Sequence, residues 1–102
     1  MKKITQESVE NFSSNVNFHK SNTKILTDGN ITSMYLFDNK IAYRIGKNLI
    51  IDNCGWKSNT TKERLNGLLE NYKLPKIQQK KGKWFIDNEE FENTKQFILN
   101  IL

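Results

Sequence analysis

The chain has one cysteine, Cys54, and one histidine, His19, in 102 residues. A lone cysteine excludes a disulfide framework, and one of each leaves no His/Cys set for a zinc cluster. No apolar run approaches the ~18 residues a membrane-spanning helix needs. There is no glycine-rich phosphate loop and no metal-ligand spacing, so no cofactor is expected. Behind Met1-Lys2-Lys3 there is no apolar stretch like that of a secretion signal, and a cytoplasmic location is expected. Alanine occurs once and arginine twice, against 14 lysines, 14 asparagines and 11 isoleucines. The codons of these residues suggest an AT-rich genome, which inflates lysine without any functional reason.

What remains suffices for one small domain. Leu, Ile, Val and Phe number 28, about a quarter of the chain and above the level read as disorder. The net charge is +5, unevenly spread. Residues 1–61 carry 8 basic and 5 acidic side chains, residues 62–83 carry 7 and 2, and residues 84–102 carry 1 and 4. A basic middle before an acidic tail is the main asymmetry.

Val9, Phe12 and Val16 predict a weak helix over 5–16. Period-two alternation over 22–53 predicts a β-meander, with turns at Asp28-Gly29, Asp38-Asn39 and Gly46-Lys47. One face of it carries Ile31, Ser33, Tyr35 and Phe37, then Ile41, Tyr43 and Ile45. Leu65, Leu68, Leu69 and Tyr72 predict an amphipathic helix over 60–72, opened by a Thr60–Glu63 capping box and stopped by Pro75. Residues 76–86 read as a hairpin around Lys80-Lys81-Gly82-Lys83. Asp87 and Glu90 offer a capping pattern for a helix over 88–102, whose apolar side chains cover most of its circumference. The expected fold is one α+β domain over 1–102, an antiparallel sheet of about 4–6 short strands packed with two or three helices.

Three groups of residues are candidates for function. Ser58, Thr60 and Thr61 place hydroxyls at a helix start, where free amides hold a phosphate or the hydroxyls simply cap the helix. Thr60, Arg64, Gly67 and Asn71 share a stripe beside the apolar one. Gly67 costs ~1 kcal/mol against alanine in mid-helix, which invites close approach of a partner anchored by Arg64. The alternative is internal packing of Gly67 and an internal ion pair of Arg64. Lys73, Lys76, Lys80, Lys81 and Lys83, with Trp84 close by, suit a nucleic-acid backbone and its bases or an ordinary solvated turn. Two arginines weaken any claim to specific base readout. Cys54 and His19 make a nucleophile and base only if the fold joins them.

One series of segments carries a resemblance. Asn22-Thr23 opens a strand, and Ile41-Ala42 sits in another. Gly55-Trp56-Lys57-Ser58-Asn59-Thr60-Thr61 leads into a helix bearing Arg64-Leu65-Asn66, and Gly82-Lys83-Trp84-Phe85-Ile86 follows. Over residues 22–86 the chain resembles a group of small, mostly bacteriophage-encoded proteins of unknown function. These combine a strand-hairpin with a Ser-x-Thr-Thr helix start. The resemblance implies origin and fold and supplies no activity. With the lack of catalytic residues, it leads to the expectation of a non-enzymatic phage accessory protein in the bacterial host. Such a protein binds a host protein or nucleoprotein complex for host takeover or defence evasion, for example as an inhibitor of a CRISPR or restriction complex. The binding residues expected are Ser58, Thr60, Thr61, Arg64 and Asn71. The alternative is a DNA- or RNA-binding module on the basic 62–83 surface. A homodimer through the 88–102 helix is a further expectation.

Overall fold

The meander forms where alternation predicts it. The computed structural model describes residues 1–93 and 95–101. It runs through strands β2 (Thr23–Asp28), β3 (Ile31–Leu36), β4 (Asn39–Ile45) and β5 (Asn48–Ile51), preceded by helix α1 (Lys3–Ser13) and a short strand β1 (Phe18–Lys20). Helix α2 (Asn59–Asn71), the hairpin strands β6 (Ile77–Lys80) and β7 (Lys83–Ile86), and strands β8 (Glu89–Glu90) and β9 (Phe97–Asn100) complete the described residues. Two antiparallel sheets result, one of order β1-β2-β3-β4-β5-β9 and one of order β6-β7-β8. The expected α+β class holds, with more strands than expected.

Several sequence expectations need correction. The helix over 88–102 does not form. Asp87 and Asn88 both have positive φ, 51° and 68°, and make a two-residue hairpin turn. Phe97 and Leu99 point inward while Ile98 is exposed, so the apolar set alternates as a strand and joins β5. A homodimer through that helix is therefore not available, and Thr94 and Leu102 lie outside the described residues. The predicted first helix ends at Ser13, which leaves Val16 outside it and exposed. The β3–β4 turn falls one residue early, at Phe37 and Asp38, with φ of 50° and 65°. The Ile41, Tyr43, Ile45 face is broken by a bulge. Met34 pairs with Ala42 while Tyr35 pairs with Lys40, which makes Ile41 the extra residue. Ile41 and Ala42 are both buried as a result.

The core lies between the six-stranded sheet and a second layer. Val9 and Phe12 from α1 and Leu65, Leu68 and Leu69 from α2 pack on Ile25, Met34, Leu36, Leu49 and Ile51. The small sheet joins the same layer through Trp84, Ile86 and Phe91, and the Phe91 ring lies edge-on to Phe97 at 5.9 Å.

The opposite face of the six-stranded sheet leaves Leu26, Ile45 and Ile98 exposed, although Ser33 and Ile50 on the same face are only 5% exposed. Strand register lines up Leu26, Ser33, Tyr43, Ile50 and Ile98 as one row across it. Lys24, Tyr35 and Lys40 flank that row on one side. Asp28, Ile31 and Ile45 flank it on the other.

Candidate functional site

The α2 stripe predicted as a partner surface faces α1. Arg64 is 3% exposed. Its Nη1 donates to Thr5 Oγ1 and Glu63 Oε1, both at 2.7 Å, and its Nε donates to Thr23 Oγ1 at 3.1 Å. A charge taken out of water needs such partners, so its guanidinium is committed to holding α1, α2 and β2 together. A Cβ on Gly67 would meet Thr5 Cγ2 at 2.5 Å and Val9 Cγ2 at 3.3 Å. The glycine thus permits the close approach of α1 to α2, in place of an external partner. Asn71 Nδ2 donates to Ser13 Oγ at 2.8 Å. Glu63 completes this junction. Burial raises its pKa, but the Thr5 hydroxyl, the Lys2 N–H and the Arg64 charge outweigh burial and hold it below the ordinary 4.5.

The N-terminal end of α2 behaves differently. Ser58 is the N-cap, and its Oγ accepts from the Thr61 N–H at 3.1 Å. It therefore takes the place of the expected Thr60–Glu63 box, because Glu63 is bound by Thr5, Lys2 and Arg64. Ser58, Thr60 and Thr61 line one side of a cleft of about 470 Å³. Leu36 and Ile41 from the sheet, with Asn39 and Asn53, line the rest. Phe37 and Trp56 stand at its mouth, 67% and 63% exposed. Clefts of this size, mostly apolar with a few fixed polar groups, are the usual form of a binding site.

Phe37 occupies a costly position. In a two-residue turn with both φ angles positive, Asn or Gly is favoured, and a bulky side chain at positive φ is an outlier. Burial does not compensate, since the ring lies mostly in solvent. Sequence reading passed over Phe37 and Trp56. The signal for Phe37 was a ring beside Asp38 at the end of an alternating run, where a turn belongs.

The lysines divide. Lys76 pairs with Glu70 at 3.3 Å, while Lys73 sits beyond the end of α2. Lys80 and Lys83 are paired across the β6–β7 ladder and project from its outer side. Phe85 lies on that same side, in a shallow depression with Lys76 and Lys80. Lys81 lies in the connecting turn with φ of 51°. Trp84 is fully buried, so no base can stack on it. Lys57 Nζ donates to the Gly82 carbonyl at 3.3 Å, which sets this basic turn beside the Trp56 segment.

Cys54 and His19 are not brought together, because β1 and β5 stand four strands apart in the sheet. Burial pushes the Cys54 thiol up, with Asp52 adding to the effect, the reverse of what a nucleophile needs. Among the described residues, no helix is long and apolar enough to cross a membrane.

No curated protein and no solved structure matches the chain. A family model, described as Kyanoviridae Gp96 protein, matches residues 1–101. The chain therefore belongs to the Kyanoviridae Gp96 protein family and is a bacteriophage protein.

Proposed function

We propose that this is a non-enzymatic accessory protein that binds a host protein, in host takeover or evasion of defence, through the Phe37–Trp56 cleft. The observation that carries the reading is Phe37, exposed at a turn position that disfavours it. Strain of this kind persists where function requires the side chain. Two exposed aromatics over an apolar cleft with a hydroxyl rim also match the anchors that dominate protein interfaces. Ser58, Thr60 and Thr61 supply donors and acceptors along one wall. Arg64 and Asn71 act behind that wall, by fixing α2 on α1.

The test is capture from a host lysate with wild type, Phe37→Asn and Trp56→Ala in parallel. A stoichiometric partner retained by wild type and lost by both variants supports the reading. A partner that both variants retain, or none at all, overturns it. Trp56 emission, isolated in a Trp84→Phe background, reports engagement of the cleft.

A second reading rests on Lys80, Lys83 and Phe85 sharing one exposed side of the hairpin. Basic groups beside an accessible ring suit single-stranded nucleic acid. It predicts fluorescence anisotropy that falls steeply with salt and is lost when Lys80, Lys81 and Lys83 become glutamate. No binding at low salt ends this reading.

A further inference from the structure

We propose that the open face of the six-stranded sheet is a self-association surface, on which a second copy of this chain packs sheet against sheet. An antiparallel sheet with one face in water ordinarily alternates apolar and polar side chains. Here the open face carries Lys24, Asp28, Ser33, Lys40 and Asn48, yet between them it also sets large apolar side chains in water. Leu26, Ile45 and Ile98 are among the exposed large hydrophobic side chains of the protein, at 41%, 41% and 66%. The part of this face spanning β2 to β5 and β9 is three side-chain rows deep. It covers roughly 24 by 20 Å, and two such faces bury at most about 1,000 Å², the size of a weak, reversible interface.

The charges select the occupant. An in-plane two-fold axis along the row of Leu26, Tyr43 and Ile98 lays that row on its own copy. On β2, Lys24 and Asp28 lie two residues to either side of Leu26. The same rotation therefore sets Lys24 of each copy over Asp28 of the other, forming the pair twice. Sheets packed this way cross at about 30°. A nucleic acid would find Lys24 and Lys40 flanking the row, with His19 beside Lys24, and both lysines already stand over the Tyr35 ring, at 5.2 and 5.9 Å. The Phe37–Trp56 cleft is built from the covered side of the sheet and stays open in the dimer.

Sedimentation equilibrium of the full chain from micromolar to millimolar concentration tests this. The expected result is a reversible dimer. Leu26→Lys on the axis and Ile98→Lys each weaken it by about a hundredfold, with unchanged circular dichroism. Lys24→Asp alone sets carboxylates against each other twice and weakens the dimer by about tenfold. Adding Asp28→Lys to that variant restores it. A wild type that stays monomeric throughout overturns the proposal. So does a dimer that survives Leu26→Lys, or a double swap no tighter than Lys24→Asp alone.

Discussion

Ile25 and Leu26 are neighbours in β2, yet they belong to different worlds. Ile25 is fully buried under the helices, whereas Leu26 remains 41% exposed on the open face. Both faces carry large apolar side chains, though the open one also bears Lys24, Asp28, Lys40 and Asn48, and the layer of α1, α2 and the small sheet packs on the other. Apolar character alone therefore does not identify the core. The covered side is specified by polar fixings, such as Arg64 to Thr5 and Thr23 and Asn66 Oδ1 accepting from the Ile77 N–H at 2.8 Å. On the open face, Lys24 and Lys40 stand over the Tyr35 ring, Lys40 also over Tyr43, and Lys24 Nζ lies 3.8 Å from Asp38 Oδ1.

The largest test of that contrast is a pair of truncations. Ile25→Ala loses about 2–5 kcal/mol of stability, while Leu26→Ala changes it by about 0.5 kcal/mol or less in the monomer. Urea unfolding at low protein concentration reads both. Gly67→Ala probes the helix layer and costs about 1–3 kcal/mol, because Thr5 and Val9 must move. Phe37→Asn has the opposite sign. It relieves a disfavoured turn and stabilises by up to about 1 kcal/mol, seen as a higher melting temperature, while partner capture is lost. The smallest effect is the acid response of the helix junction. Glu63 is held below 4.5 in the folded chain, so its contribution is complete above that pH and is lost as pH falls through the lower folded value. Glu63→Gln should be less stable at neutral pH and show a shallower decline below pH 4.5 in thermal melts.

The meander and α2 were legible because their signals are local. Gly46-Lys47 marks a turn, Asp28-Gly29 marks one that falls a residue later at Gly29-Asn30, and Leu65, Leu68 and Leu69 mark a helix face. The last third was misread for the same reason. Asp87 and Glu90 imitate a helix cap, and nothing local reveals that Ile98 pairs with Ile50. The bulge at Ile41 is likewise set by the pairing partner. Of the candidate site, Ser58, Thr60 and Thr61 were readable as a hydroxyl-bearing helix start. Their neighbours Phe37 and Trp56 were not, because a cleft joining β3, β4 and the segment before α2 exists only in three dimensions. Arg64 looked like an anchor, since a helix stripe does not announce whether a sister helix or a stranger lies against it.

The pairing of β5 with β9 also sets an order of events during synthesis. Forty-five residues separate Ile51 from Phe97, and at about 5–20 residues per second the ribosome needs several seconds to make them. Through that interval Leu49, Ile50 and Ile51 form the bare margin of a nascent sheet, where another nascent chain can add. The β6–β7 hairpin, closed by neighbours in sequence, needs no such wait. Cells making this protein quickly, as during infection, therefore face their greatest risk of misassembly before the final strand arrives.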